Sequence, residues 1–246
     1  MEEVDMYPYF LLDGQSISIQ IDGEYRTMQA TNGNFMALVA AVEDGDKQRV
    51  REIMDIRGEV NRQGMGRIAV ERDGVYIDGV RRGGRLIDRI MAMVNRGAKT
   101  VSHFVAFLEN LESNPAQDAR DSLYDFIEHC SLPITSDGCF LAYKFVNEDY
   151  TDCHSGTMDN TPGNTVAMKR DDVCADRNIS CAAGLHVCSK EYIGDGTGWG
   201  KRLLVCKVNP RDVVSVPYSY HMEKVRVCQY EVVEEIHGWD GSPEKE

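Results

Sequence analysis

Hydrophobic and polar residues alternate within residues 15–28, near the start of the chain. Ile17, Ile19 and Ile21 are separated by polar residues, and Asp22-Gly23 follows at the position of a tight turn. Residues two apart on a strand share one face of a sheet, so the three isoleucines are expected to pack inward together. The segment therefore predicts a β-hairpin with one buried face.

Apolar residues at helical spacing replace this alternation over residues 32–56. The pattern breaks at Asp44-Gly45-Asp46, so two short helices are predicted, with Asn34 and Asp46 as their N-caps. Alternation returns over residues 66–80, which predicts another hairpin with its turn at Asp73-Gly74.

Three further helices are predicted before residue 132, over residues 85–95, from Thr100 onward, and over residues 115–130. Asn114 is the predicted cap of the last helix. Pro115 then falls in its first turn, where the missing backbone N–H is tolerated.

Short β-like segments separated by Gly, Pro, Asp and Asn follow from residue 132 onward. They lie at residues 139–146, 164–169, 184–189, 202–209, 213–217 and 225–236. The pattern predicts an α+β protein with a mainly helical N-terminal domain with hairpins at 1–131 and a β-rich domain at 132–238. Residues 239–246 are expected to form a disordered acidic tail.

The formal net charge of -13 argues against nucleic acid as a partner, because binding to phosphate backbones depends on Lys and Arg. An Arg-rich segment at 49–99 differs from this average. Its exposed helical face is expected to be solvated, although a local contact with an anion is the alternative. The arginines concerned include Arg81, Arg82, Arg85 and Arg89.

No run of eighteen apolar residues occurs, and the first fifteen residues are acidic where a signal peptide would be basic. We therefore expect a cytoplasmic location, with any membrane contact peripheral. Several short amphipathic helices in the N-terminal half predict a homo-oligomer that covers their apolar stripes.

All 8 cysteines lie from Cys130 onward, and several of them lie close to histidines. The potential zinc ligands are Cys153, His154, Cys174, Cys181, His186 and Cys188. None of their spacings is the C-x-x-C knuckle that structural zinc favours, and no flanking pattern marks an activated thiolate. Reduced, mostly buried thiols are therefore favoured, and neither a metal nor a cofactor is predicted.

The order of the C-terminal segments resembles the ADP-ribosyltransferase fold. A strand with Lys144 comes first, a strand ending at Ser189 comes second, and a segment with Glu231 comes last. That fold implies a cleft for a nicotinamide dinucleotide, with a histidine or arginine on the first strand and a catalytic glutamate on the last. The first strand here carries no histidine, and Cys228-Gln229 occupies the glutamate position unless Glu231 replaces it. The resemblance therefore implies nucleotide binding without turnover.

A longer block of closely spaced Gly, Pro, Asp and His residues covers residues 132–173, 181–193 and 208–217. This block resembles the rIIB-like proteins of tailed bacteriophages, and the resemblance extends over residues 132–233. It implies a phage accessory protein that acts with an rIIA-like partner near the host inner membrane. The family is associated with growth in hosts that carry an exclusion system and with lysis inhibition.

Polar side chains within this block are the candidate ligand-binding residues, and no catalytic residue is predicted. On or beside strands, buried polar groups need partners, which a shared cleft would supply. His186 and Ser189 are expected to face that cleft, with Leu185 and Val187 in the core. The alternative is an Asp–His hydrogen-bond network that only joins two strands. The candidates are Lys144, Asp152, His154, His186 and Ser189.

The favoured function is therefore counter-defence by a phage-encoded protein that sequesters a nucleotide-derived signal, with Lys144 pairing with phosphate. One alternative is an interaction partner of an rIIA-like protein and host factors, with the helices supplying the interface. An enzyme that processes NAD-like substrates is the second alternative, but turnover is disfavoured for the reasons given above.

Overall fold

The structure is a computed structural model, and it describes residues 9–12, 14–21, 23–30, 34–55, 67–71, 73–95, 101–193, 202–218 and 220–237. These residues contain six α-helices and thirteen β-strands, which confirms a mixed α/β protein. Contacts divide the chain into two compact units, Met1–Val105 and Ala106–Glu246. The domain boundary at residue 132, drawn from composition, stays a prediction. The predicted disordered tail at 239–246 lies outside the described residues.

The described residues of the first unit form two three-stranded antiparallel sheets and three helices. Both predicted hairpins are confirmed, and each gains a third strand, β1 or β6, that alternation did not indicate. All three residues of β6 are exposed, so no buried face marks it in the sequence. The elements are β1 (Tyr9–Leu12), β2 (Ser16–Ile21), β3 (Glu24–Gln29), α1 (Phe35–Glu43), α2 (Lys47–Met54), β4 (Ile68–Val70), β5 (Val75–Ile77), β6 (Val80–Arg82) and α3 (Arg85–Asn95).

The alternating isoleucines of β2 form the core of the first sheet. Ile17, Ile19 and Ile21 are buried together with Leu38 of α1 and Val50 of α2. The predicted break between α1 and α2 is confirmed. At the start of α2, the Asp46 carboxylate accepts the backbone N–H of Arg49 at 3.0 Å, as an N-cap should.

The second unit is built around one seven-stranded antiparallel sheet of order β11-β12-β9-β7-β10-β13-β8. Helix α4 begins before the division between the units and continues into the second one. In the part of this unit that the structure describes, three short 3-10 turns connect strands. The elements are α4 (Val101–Glu112), α5 (Gln117–His129), β7 (Phe140–Val146), β8 (Thr165–Ala167), β9 (Leu185–Cys188), α6 (Lys190–Ile193), β10 (Arg202–Val208), β11 (Val213–Ser215), β12 (Lys224–Val227) and β13 (Gln229–Glu235).

The prediction of one strand over residues 225–236 is wrong, because the chain turns a corner at Cys228. Strands β12 and β13 are separated by this residue alone, yet β9, β7 and β10 lie between them in the sheet order. In a flat sheet, four strand spacings would separate them by roughly 19 Å. Two residues span at most about 7 Å. The sheet must therefore curl back on itself.

Helix α5 packs on the sheet through its predicted apolar stripe. Leu123, Phe126 and Ile127 are buried, and the rings of Phe126 and Phe140 meet edge to face at 6.4 Å. The predicted N-cap is wrong, because Ala116 occupies that position. Asn114 is instead buried two residues earlier, where its amide donates to carbonyl oxygens around the turn at Pro210–Asp212.

The arginines of the Arg-rich segment are exposed on β6 and α3, as expected for a solvated face. The group consists of Arg81, Arg82, Arg85 and Arg89. Within the described ranges, no helix combines the length and the apolar character that crossing a membrane requires.

Candidate functional site

Strands β9 and β12 place His186 and Arg226 side by side. The two residues are directly opposite each other in the antiparallel register, and cross-strand partners share one face of the sheet. Leu185 and Val187 alternate with His186 and are buried, as the sequence predicted. The "LHVC" pattern of β9 therefore separates a core face from a face with polar side chains.

His186 and Arg226 carry the two buried side-chain nitrogens that lack a hydrogen-bond partner in the described part of the chain. The atoms are Nε2 of the imidazole and Nε of the guanidinium. Leaving a buried polar atom unpaired typically costs about 1–3 kcal/mol, and more for a charged group. Two such atoms on adjacent residues indicate a position where a further polar group would be stabilised.

Arg226 is completely buried, with a relative exposure of 0%. Its two terminal nitrogens are nevertheless well paired. One donates to the carbonyl of Ile179 at 2.6 Å, and the other to the Ser215 hydroxyl at 3.0 Å and to the carbonyl of Asp176. The stem packs beside Gly184, where an added Cβ would lie 3.4 Å from Cδ of Arg226. These contacts fix the guanidinium and leave only its Nε–H without an acceptor.

Lys144 approaches the same pair of strands from β7. The ladder between β7 and β9 consists of one residue pair, Tyr143 with Cys188. Next to this pair, the Lys144 ammonium donates to the backbone carbonyl of His186 at 3.1 Å. A hydrogen bond from a side chain thus replaces a backbone hydrogen bond between the two strands. The structure thus brings Lys144 and His186 together, where β7 and β9 cease to pair.

His186 is held in its neutral form at neutral pH. Burial and, to a smaller extent, the positive charges of Lys224, Lys144 and Arg226 lower the pKa of its imidazole to about 4. A hydrogen bond with the backbone of Gly184 opposes this shift of the pKa. The imidazole is therefore an uncharged group surrounded by three cations.

Lys224 completes this cluster from β12, opposite Cys188. It is 8% exposed, and its ammonium donates to the Tyr192 hydroxyl at 3.1 Å.

Burial raises the pKa of the Cys188 thiol to about 12 and that of the Cys206 thiol to about 12 as well. These two thiols are therefore protonated and poor nucleophiles at neutral pH.

Asp152 lies on a separate, internally bonded loop after β7. Its carboxylate accepts the backbone N–H groups of Ser155, Thr157 and Met158 at 2.6 to 3.1 Å, and also the Ser155 hydroxyl at 2.7 Å. Burial alone would raise the pKa of Asp152, but these hydrogen bonds hold it far below its ordinary range. The carboxylate is thus used to organise its own loop.

His154 and Ser189 lie apart from the pair of Lys144 and His186. The His154 side chain is exposed on the Asp152 loop, and its backbone N–H donates to that carboxylate at 3.2 Å. Ser189 is buried just after β9, and its hydroxyl accepts the backbone N–H of Tyr192 at the start of α6. Ser189 therefore caps a helix, while His154 faces solvent.

Sequence reasoning missed Lys224 and Arg226. Their signal is the alternation in "KVRV", residues 224–227, which puts two cations on one face of a strand. That pattern acquires meaning only through the register with β9, which places Arg226 opposite His186. Pairing of strands about 40 residues apart is not encoded in local alternation.

The ADP-ribosyltransferase resemblance is not confirmed. Glu231 lies on β13, where it is exposed, and β7 and β10 separate that strand from β9. The position next to His186 on the adjacent strand is occupied by Arg226. Across the residues that are described, no three His, Cys, Asp or Glu side chains converge in a way that could hold a metal ion.

Replacing Asp152 with Asn is expected to lower the free energy of unfolding at pH 7 by about 2 kcal/mol. A neutral amide is a poorer acceptor of the hydrogen bonds from these backbone N–H groups than a carboxylate is. Hydrogen bonds to charged groups contribute about 1.5–3 kcal/mol to stability. Because the pKa of Asp152 is lowered on folding, its contribution is complete above the ordinary value of 3.8 and is lost as pH falls below it.

Urea unfolding of both proteins at pH 7 and at pH 3 measures this difference. Asp159→Asn is the matched control, since that carboxylate also accepts local hydrogen bonds but is exposed. Equal stability of the wild type and Asp152→Asn at pH 7 would show that the Asp152 bonds contribute nothing.

Taken together, the fold and the site define a mixed α/β protein whose antiparallel sheet holds three cations, two of them buried, around a neutral histidine. A family model described as "Bacteriophage T4 protein rIIB" matches residues 5–245. The chain is 38% identical to "Protein rIIB" of Enterobacteria phage T4 over 221 residues, which cover 89% of this chain and 70% of that protein. The chain therefore belongs to the rIIB family, which supports a phage accessory protein. No solved structure matches it.

Proposed function

We propose that this protein counters host exclusion or antiviral defence by binding and sequestering a nucleotide-derived signal without chemical turnover. The observation that carries the proposal is the pair of buried, unpartnered nitrogens on His186 and Arg226. They lie within a cluster of cations that includes Lys144. Action in the host cytoplasm, at most peripheral to the inner membrane, belongs to the same proposal.

The charges of this cluster favour an anion. The hydrogen bonds that Lys144 and Arg226 donate within the described residues go to carbonyl and hydroxyl oxygens, which are neutral. Neutral acceptors satisfy geometry but do not balance buried positive charge. A phosphate oxygen would accept from Nε of Arg226 and would favour a protonated His186 as a second donor.

Binding without turnover is favoured by the identity of the side chains. A carboxylate that stabilises an oxocarbenium-like transition state would have to lie beside the bound nucleotide. The strand next to His186 is β12, and it carries Arg226 and Lys224 instead of a carboxylate. Glu231 lies on a different strand, β13. The high pKa of the Cys188 thiol argues against a cysteine nucleophile. These features support a sequestering protein over an NAD-processing enzyme.

Replacing Lys144 with Met and His186 with Gln in one protein is expected to abolish binding of nucleotides that carry a pyrophosphate. Native mass spectrometry of the full chain with NAD, ADP-ribose, its cyclic isomers and cyclic oligonucleotides measures this binding. The same spectra report the oligomeric state, where we expect a homo-oligomer. Wild-type protein should gain the mass of one unaltered ligand per chain.

The matched control for this experiment is His154→Gln, because His154 is exposed and outside the cluster. It should bind as the wild type does. Circular dichroism of the double variant checks that the fold is retained. A ligand that is released in cleaved form would overturn sequestration, and equal binding by the double variant would overturn the site.

A second candidate function is binding to an rIIA-like phage protein and host factors. The observation that favours it is the exposed acidic face of α5, formed by Asp118, Asp121 and Glu128. Charge reversal of Asp118 and Asp121 to Lys should then weaken assembly with an rIIA-like protein and leave nucleotide binding unchanged. Unchanged assembly would contradict this candidate.

A further inference from the structure

We infer that Tyr218 is a stacking platform for a nucleobase, so that the ligand is a nucleotide with an intact base and not a simple phosphate. This inference rests on the proposed function and assigns the base to a particular side chain. Tyr218 is 60% exposed, and the guanidinium carbon of Arg177 lies 4.1 Å from its ring centroid.

Backbone contacts hold the ring and the guanidinium in place. Nε of Arg177 donates to the carbonyl of Val216 at 2.8 Å, and the N–H of Tyr218 donates to the carbonyl of Arg177 at 3.2 Å. Arg177 covers one side of the ring by a cation–π contact. The exposure of Tyr218 shows that much of the ring is open to solvent, so a flat, pre-oriented surface is available for stacking.

This platform adjoins the loop that holds the Arg226 side chain. The loop at residues 176–179 supplies the carbonyls of Asp176 and Ile179 that hold the guanidinium of Arg226. Asp176 accepts a hydrogen bond from Arg226, and the next residue in the chain is Arg177, which stacks on Tyr218.

The chemistry of the surface favours a nucleobase as the occupant. Every base has a π-face that stacks on tyrosine, and an arginine beside the ring adds a cation–π contribution. Ile179 is an apolar side chain on the loop that carries Arg177, and it is 45% exposed. A phosphate alone would make no use of the Tyr218 ring or of Ile179.

Replacing Tyr218 with Ala is expected to weaken the binding of ADP-ribose by about 5- to 100-fold, since loss of a base–aromatic stack has this effect. Isothermal titration calorimetry of the full chain measures the change. Ribose 5-phosphate, which lacks a base, should bind the variant and the wild type equally. Tyr218→Phe keeps the ring and should bind ADP-ribose like the wild type.

Tyr25→Ala is the matched control, because Tyr25 is 61% exposed in the first unit. It should leave both affinities unchanged. If wild-type protein binds ADP-ribose and Tyr218→Ala binds it equally well, the stacking inference is wrong while the proposed function stands. If wild-type protein binds neither probe, the proposed function fails first.

Discussion

Replacing Gly138 with alanine is expected to lower the free energy of unfolding by roughly 3–5 kcal/mol. The turn at Gly138 is pressed against the backbone of α4, and an added Cβ would lie 2.2 Å from the carbonyl carbon of Ala106 and 2.4 Å from the nitrogen of Phe107. Backbone atoms of a helix cannot move aside as a flexible side chain can. The positive φ of 73° adds strain for any residue with a Cβ.

Gly156→Ala is the matched control for this prediction. Gly156 has a similar φ of 67°, but its added Cβ would meet nothing within 4 Å. Urea unfolding of the two variants therefore separates the backbone strain, about 1 kcal/mol, from the steric overlap. Equal losses of stability in the two variants would show that the close approach of the turn to α4 does not exist.

The stability of the unliganded protein is expected to fall as pH is lowered from 6.5 to 4, because of His186. Burial and the neighbouring cations lower the pKa of this imidazole from 6.5 to about 4 in the folded protein. Between these values the unfolded chain binds a proton that the folded chain does not. The stabilisation is complete above pH 6.5 and decreases, by at most about 3 kcal/mol, as pH approaches 4.

His186→Gln removes the titrating group while keeping a polar side chain of similar reach. The difference in unfolding free energy between wild type and this variant should therefore change with pH between 6.5 and 4 and be constant above 6.5. Asp152 does not interfere, since it is present in both proteins and its contribution cancels in this difference. A difference that is independent of pH would contradict a His186 that is neutral in the folded protein.

Local alternation and helical spacing predicted much of the fold, because both report which face of an element is buried. The isoleucines of β2 and the stripe of α5 are examples. Alternation could not predict the corner at Cys228, since residues 225–236 remain extended on both sides of it. The sheet order decides that corner, and this order depends on pairings between distant strands.

The candidate site was predicted in part for a related reason. Lys144 and His186 lie on recognisable strands, and the structure brings them together. Asp152, by contrast, accepts hydrogen bonds from the residues that follow it, and Ser189 caps α6. Short polar side chains in turns often bond to nearby backbone in this way, so their presence in a motif does not distinguish a ligand site from a local structural role.

Nitrogen-detected NMR of histidine-labelled protein at pH 6, with and without ADP-ribose, tests the central claim most directly. The His186 signal is assigned by its absence from the His186→Gln spectrum. ADP-ribose carries a pyrophosphate diester that keeps its charge at this pH, so only the protein can change protonation. The account predicts that His186 is neutral when free and that its signal moves to the protonated position at one ligand per chain. A saturated complex in which the His186 signal has not moved would contradict the account.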